Sequence, residues 1–266
     1  MTEVSVRPPS FAGQFYPADA DRLQREVEGY IDAASLPEGL GDVRAVVAPH
    51  AGYVYSGKTA GYAFKALWQL PDREWTVFLL GPAHRIPVTG VALGAFSAFR
   101  TPIGEASVAV QRVEEMLDEN PFYTRVARAH QPEHCLEVEV PFLQLSLPRF
   151  KLVPMLFGQV RPKDVADDLQ GRLKDDDLIV VSSDLSHFHT YDVAQEKDRG
   201  LLDALLDGDK AAVRQGEACG RGPLTALMEI GEGEGWEPHL LDYRNSGDAT
   251  GDKSRVVGYA SIAYTS

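Results

Sequence analysis

The chain has 266 residues, 44% hydrophobic and 24% charged, the composition of a globular protein able to bury a sizeable core. Its formal net charge is −13 with no lysine/arginine cluster, which argues against a phosphate-backbone partner and sets nucleic acid aside. Two cysteines are too few for a disulfide framework, no stretch approaches the roughly 18 uninterrupted apolar residues of a membrane helix, and Met1 to Pro9 lacks an apolar leader, so the expectation is a cytoplasmic protein without membrane contact.

In chain order, Asp19 or Asp21 can cap a first helix running to about Ala34. An apolar strand from Val43 ends just before His50, and Ser56 is placed to cap a helix to Trp68. A second apolar strand ends at Leu80, followed by a shorter apolar run over Val88 to Leu93. Helices are predicted over Ser107–Asp118, Cys135–Leu147 and Pro162–Leu173, with a strand over Phe150–Leu156 between the last two. A strand ending near Val181 precedes helices over Asp192–Leu206, Asp209–Gln215 and Pro223–Ile230, and strands over Glu237–Tyr243 and Arg255–Tyr264 close the chain as an antiparallel pair. This alternation predicts an α/β fold with a mainly parallel central sheet and helices on both faces, in one domain over residues 1–266.

Three histidines follow buried-strand runs, each in a turn of small residues: His50 in Ala48-Pro49-His50-Ala51-Gly52-Tyr53, His84 in Gly81-Pro82-Ala83-His84-Arg85, and His187 in Ser182-Ser183-Asp184-Leu185-Ser186-His187. Open α/β sheets gather ligands beyond the carboxyl ends of their strands. One such histidine alone is equally a strand cap. Two at like positions on neighbouring strands can share one divalent ion, and nitrogen donors favour a transition metal over calcium or magnesium. Cys219, in Ala218-Cys219-Gly220-Arg221-Gly222-Pro223 ahead of a predicted helix, stands where a helix terminus and an arginine favour the thiolate. Asp184 near His187 can fix the imidazole tautomer and raise its basicity, as a general base requires, although capping a turn is its other reading. His134 opens His134-Cys135-Leu136-Glu137, where Glu137 lies one helical turn on and can pair with it. Cys135 reads as core packing and His189 as solvated surface, while His130 and His239 carry no pattern. Tyr16, Tyr53 and Tyr55 read as pocket walls.

These segments, together with Phe11-Ala12-Gly13-Gln14-Phe15-Tyr16-Pro17, resemble the Memo family, whose prokaryotic members are called AmmeMemoRadiSam system protein B, from about Arg7 to the C-terminus. The resemblance implies a fold like that of class III extradiol non-haem iron dioxygenases. It implies metal contacts from His50, His84 and Cys219, with Asp184, His187 and His134 around the same pocket as the candidate catalytic groups. Cysteine stands where the dioxygenases carry a carboxylate, which softens the donor set towards copper or zinc beside iron. The expected function is a metal-binding protein, either an iron- or copper-dependent redox enzyme or a non-catalytic protein that sequesters metal or binds a partner. The partners it implies are a small molecule or peptide, together with radical-SAM and AMMECR-type proteins.

Overall fold

In the computed structural model, which describes residues 6–94 and 96–266, β1 (Val6–Arg7) precedes α1 (Ala20–Ala33). The first five residues of the N-terminal stretch discussed above lie outside the described residues. Asp19 caps α1 by accepting the Arg22 amide at 2.9 Å, and Leu23, Val27 and Ile31, four residues apart, form its buried stripe. β2 (Val43–Ala48), α2 (Tyr53–Trp68), β3 (Glu74–Pro82) and β4 (Val91–Leu93) follow. Ser56 does not cap α2: Gly52 holds that position, and the Ser56 hydroxyl donates to the Ala51 carbonyl at 2.9 Å.

β5 (Ala98–Thr101) and β6 (Gly104–Ser107) form a hairpin that joins β1 in a three-stranded sheet, then come α3 (Val110–Glu119), β7 (Tyr123–Arg125) and α4 (Ala127–His130). The helix predicted over Cys135–Leu147 is shorter, a 3-10 turn at Glu137–Glu139 leading into α5 (Val140–Ser146). Pro141 belongs in a first helical turn, because it lacks the amide that a helix interior needs. The Glu133 carboxylate also takes the amides of His134 (2.9 Å) and Cys135 (3.2 Å), fixing the chain in a loop there. β8 (Arg149–Phe157), α6 (Pro162–Arg172), β9 (Asp177–Ser182), β10 (His187–His189), α7 (Tyr191–Leu206), α8 (Lys210–Gln215), α9 (Arg221–Glu234), β11 (Glu237–Asn245), α10 (Ser246–Thr250) and β12 (Val256–Thr265) complete the chain.

The nine-stranded main sheet runs β10-β12-β2-β9-β3-β8-β4-β7, with β11 on the other edge of β12. Its centre, β2-β9-β3-β8, is parallel, and β4 pairs β7 in parallel as well. The joins of β8 to β4, of β12 to β2, and of β12 to β10 and β11 are antiparallel. The sheet is therefore mixed, and the parallel arrangement expected for most of it is confined to the centre and the β4–β7 pair. α1, α2 and α5 pack together in one layer, and α6, α7, α8 and α9 in another. All six residues of β9 are buried, and Val77, Phe78, Leu79 and Leu80 of β3 are sealed from solvent, as strands covered on both faces must be.

The register decides where the site forms. Ala48 of β2 lies opposite Ser182 of β9, and Leu80 of β3 lies opposite Val181 of β9, so the three strands end at one rim. The strands leading to His50 and His84 are not neighbours, as the sequence had suggested. β9 runs between them and brings its own residues, Ser182 and Asp184, to the middle of the rim.

Candidate metal centre

His50, Asp184 and His84 each sit two residues beyond the last residue of β2, β9 and β3. The rings of His50, His84 and His134 converge: centroids are 5.2 Å apart for His50–His84, 5.3 Å for His50–His134 and 5.1 Å for His84–His134. One ligating atom from each of these three lies within 4.8 Å of the other two. His84, Glu133 and Cys135 form a second such group, and Cys219 belongs to neither among the described residues. Cys219 stands instead beside His50, with Sγ 3.2 Å from His50 Nε2, and its sulfur accepts the Asp184 amide at 3.2 Å.

Three imidazoles around the site have a partner on the Nδ1 side. His50 Nδ1 lies 2.8 Å from Ser182 Oγ, His84 Nδ1 2.9 Å from Glu133 Oε1, and His187 Nδ1 2.8 Å from the Leu185 carbonyl. A carbonyl or a carboxylate only accepts, so His84 and His187 donate from Nδ1. His134 Nδ1 approaches Glu133 Oε1 at 3.2 Å but off the line of a hydrogen bond. Burial, reinforced by the charges of His134 and His84, pushes the His50 imidazole well below its ordinary value, so it is neutral, as a ligand must be.

Glu133, which the sequence had not singled out, organises this side of the site. It accepts the His84 amide at 2.6 Å in addition to the three donors already described. With four donors on it, it serves as the hydrogen-bonded support of the His84 imidazole and of the loop that carries His134. Glu137, expected to pair with His134, is turned away from it. It binds Arg7 Nη1 (2.5 Å), the amides of Ser10 (3.1 Å) and Phe11 (2.8 Å), and the Tyr16 hydroxyl (2.6 Å). These bonds strap residues 10–16 over the site, where the Phe15 ring lies 4.6 Å and the Phe11 ring 5.7 Å from the His134 ring.

Asp184 does not orient His187, contrary to the sequence expectation, since the Leu185 carbonyl does so. Asp184 Oδ1 accepts the His50 amide at 2.8 Å, and burial raises its carboxyl above the ordinary value against the opposing charge of His187. The Cys219 thiol is pushed up to about 12 by burial and then by Asp184, so it keeps its proton until a cation displaces it. Gly220 lets the chain pass Ser183 closely here, for a Cβ on it would meet the Ser183 side chain at 2.6 Å.

An open cleft of about 620 Å³ reaches His134 and Asp184, with Phe15, Tyr55, Phe188, Arg255 and Tyr259 among its walls. Cys219 opens instead on a second cavity of about 470 Å³ beside Ala83, Phe157 and Arg221. Of the tyrosines expected as pocket walls, Tyr55 lines the large cleft, while Tyr16 and Tyr53, largely buried, line a separate cavity of about 250 Å³, the latter donating to the Val138 carbonyl at 2.6 Å. Phe188 adopts a left-handed backbone (φ 66°), a strained conformation for such a residue, and presents its ring to the cleft. His189 pairs with Glu217, His130 is buried against the Ala92 carbonyl, and His239 bonds Thr265.

Fold and site together define an α/β protein with a histidine cluster at the rim of a parallel strand array. The chain belongs to the Memo family: the family description "Memo-like protein" matches residues 7–263. It is 35% identical to a MEMO1 family protein of Sulfolobus acidocaldarius, over 97% of this chain and 99% of that one. It is 34% identical to MEMO1 family protein Ta0237 of Thermoplasma acidophilum, over 96% and 97%. Among solved structures, an uncharacterized protein of Escherichia coli K12, JW3007, shares the fold with TM-score 0.53 at 12% identity, over 83% of this chain and 99% of that one.

Proposed function

We propose that this protein is a metal-dependent redox enzyme whose metal is held by His50, His84 and Cys219. The observation that carries the reading is the convergence of His50 and His84 at one rim, each tethered through Nδ1, with a thiol 3.2 Å from His50 Nε2. Two donors on one ion stand roughly 3–4 Å apart when each is about 2.0–2.3 Å from the metal, a separation that the His50–Cys219 pair meets, while His84 would have to close on Cys219 as the ion binds. Two imidazoles and a thiolate suit iron(II), copper or zinc rather than calcium or magnesium. The metal supplies Lewis acidity and, for iron or copper, electron exchange.

The chain's own groups do the rest. Cys219 would hold the metal as a thiolate, so binding would release its proton and be favoured as pH rises. His187, donating from Nδ1 to the Leu185 carbonyl, has Nε2 left for proton exchange. Phe15, Tyr55 and Tyr259 give the adjoining cleft apolar walls that exclude water from one face of a small organic substrate. This reading takes over from the family resemblance both a dioxygenase-like fold and that class of chemistry, with cysteine in the carboxylate's place.

A specific observation favours a second ligand set, His50, His84 and His134, because these three are the histidines within mutual reach. The test is metal content by elemental analysis of the H50A, H84A, C219A and H134A variants, with oxygen uptake on catechols measured after anaerobic loading with iron(II). Loss of metal in the first three with retention in H134A supports the proposal. Retention in C219A and loss in H134A assigns the three-histidine set. Full metal without oxygen uptake moves the protein to metal storage or partner binding, for which a soft thiolate and copper(I) are suited.

A further inference from the structure

We propose that Glu139 and Ser182 form a positioning pair behind His50, in which Glu139 is a neutral carboxylic acid and the two hold the imidazole with its proton on Nδ1 and its Nε2 lone pair facing Cys219. The proposal rests on the metal-binding reading for its purpose, though not for its geometry.

The hydrogens available around Ser182 Oγ fix the pattern. Ser182 Oγ, at the end of β9 and fully buried, has three polar neighbours: the Cys135 carbonyl at 2.7 Å, Glu139 Oε1 at 2.8 Å and His50 Nδ1 at 2.8 Å. A hydroxyl has one proton to give and two lone pairs to offer. The Cys135 carbonyl only accepts, so it takes the hydroxyl proton. The two remaining neighbours must then both donate. For Glu139 that requires a protonated carboxyl, and for His50 it requires hydrogen on Nδ1. If Glu139 were ionised and took the Ser182 proton, the Cys135 carbonyl would face hydroxyl lone pairs at 2.7 Å. An ionised Glu139 would also sit 1% exposed with Ser182 as its hydrogen-bond partner and no cation beside it. The titratable groups near enough to act on it, Asp184, Tyr53 and Cys135, are acids themselves and offer it no positive charge. Burial, reinforced by Asp184 and opposed by the Ser182 bond, pushes the Glu139 carboxyl well above the ordinary range, in agreement with that pattern.

The pair has a consequence for the site. A metal-bound histidine whose far nitrogen is hydrogen-bonded keeps its ring orientation and tautomer, and loss of that partner lowers metal affinity about tenfold to a hundredfold. Here the partner is a hydroxyl that is itself oriented by a carbonyl and an acid. Glu139 touches neither metal nor substrate, so it is a positioning residue and acts through Ser182.

Infrared difference spectroscopy and imidazole ¹⁵N NMR on the metal-free protein at neutral pH test the assignment directly. The parent should show the carbonyl stretch of a protonated carboxyl, absent from E139Q, and His50 should be the Nδ1–H tautomer. In E139Q the amide N–H replaces the acid O–H, so zinc affinity by competition titration should stay within about twofold of the parent, whereas S182A should lose about tenfold or more. No carboxyl band sensitive to E139Q, or a His50 Nε2–H tautomer, would overturn the proposal. If H50A and H84A bind metal like the parent, the metal-binding reading fails, while the infrared and NMR results still decide the state of Glu139.

Discussion

Removing one charge from Glu133 should damage both the fold and the metal centre. Glu133 Oε1 receives His84 Nδ1 at 2.9 Å, the His134 amide at 2.9 Å and the Cys135 amide at 3.2 Å, and Oε2 receives the His84 amide at 2.6 Å. Burial opposes ionisation of this carboxyl, yet the bonds from His134 and His84 outweigh it and hold the group well below the usual carboxylate range. In E133Q the better amide orientation keeps its oxygen on the first three donors and turns its NH2 against the His84 amide, where two donors meet. One hydrogen bond to a charged group, worth about 1.5–3 kcal/mol, is lost, and the other three weaken to neutral bonds. The expected cost is about 3 kcal/mol of stability, read as a lower urea midpoint at unchanged slope. Because the same carboxylate fixes the Nδ1 side of His84, metal affinity should fall about tenfold to a hundredfold. Parent-like values for E133Q in both the urea and the metal titrations would refute this account of the residue.

His130 predicts acid sensitivity away from the metal. Burial lowers it from 6.5 to about 4, so as pH falls below 6.5 the unfolded chain takes up a proton that the native protein refuses, and stability is lost until about pH 4. At about pH 5 the loss from this residue comes to about 2 kcal/mol, and H130Q, which keeps a donor for the Ala92 carbonyl, should show that much less acid destabilisation in urea unfolding. His50 acts in the same direction, so a residual slope is expected in the variant. For G220A, the new methyl would press on the buried Ser183 side chain at 2.6 Å. The expected result is about 1–3 kcal/mol of destabilisation, with faster alkylation of Cys219 by a thiol reagent as its packing loosens. Unchanged thiol reactivity would show that the turn absorbs the methyl without moving the cysteine.

The rim of the sheet was legible in the sequence because buried strands leave a plain mark: unbroken apolar runs ending in Pro49-His50, Pro82-Ala83-His84 and Ser182-Ser183-Asp184. Their order in the sheet was not. Periodicity says nothing of which strand lies beside which, so the insertion of β9 between β2 and β3 appeared only in three dimensions. The supports of the site were hidden for a related reason. Glu133 lies in a short loop and Glu137 finds Arg7 at a separation of 130 residues, where local spacing suggested His134. Glu139 did leave a signal, an acid inside the run Val138-Glu139-Val140-Pro141-Phe142, which is an unlikely place for a charge. Pro141 likewise marked the true start of α5. The hairpin of β5 and β6 has four residues per strand, too few to establish an alternation.

The strap made by Arg7, Ser10, Phe11 and Tyr16 on Glu137 joins the start of the polypeptide to its midpoint. During synthesis β1 can pair with β5 before Glu137 is made, whereas the strap must wait for Glu137, and closing so long a loop is entropically slow. Covering of the His134 ring by Phe11 and Phe15 is therefore a late event in maturation.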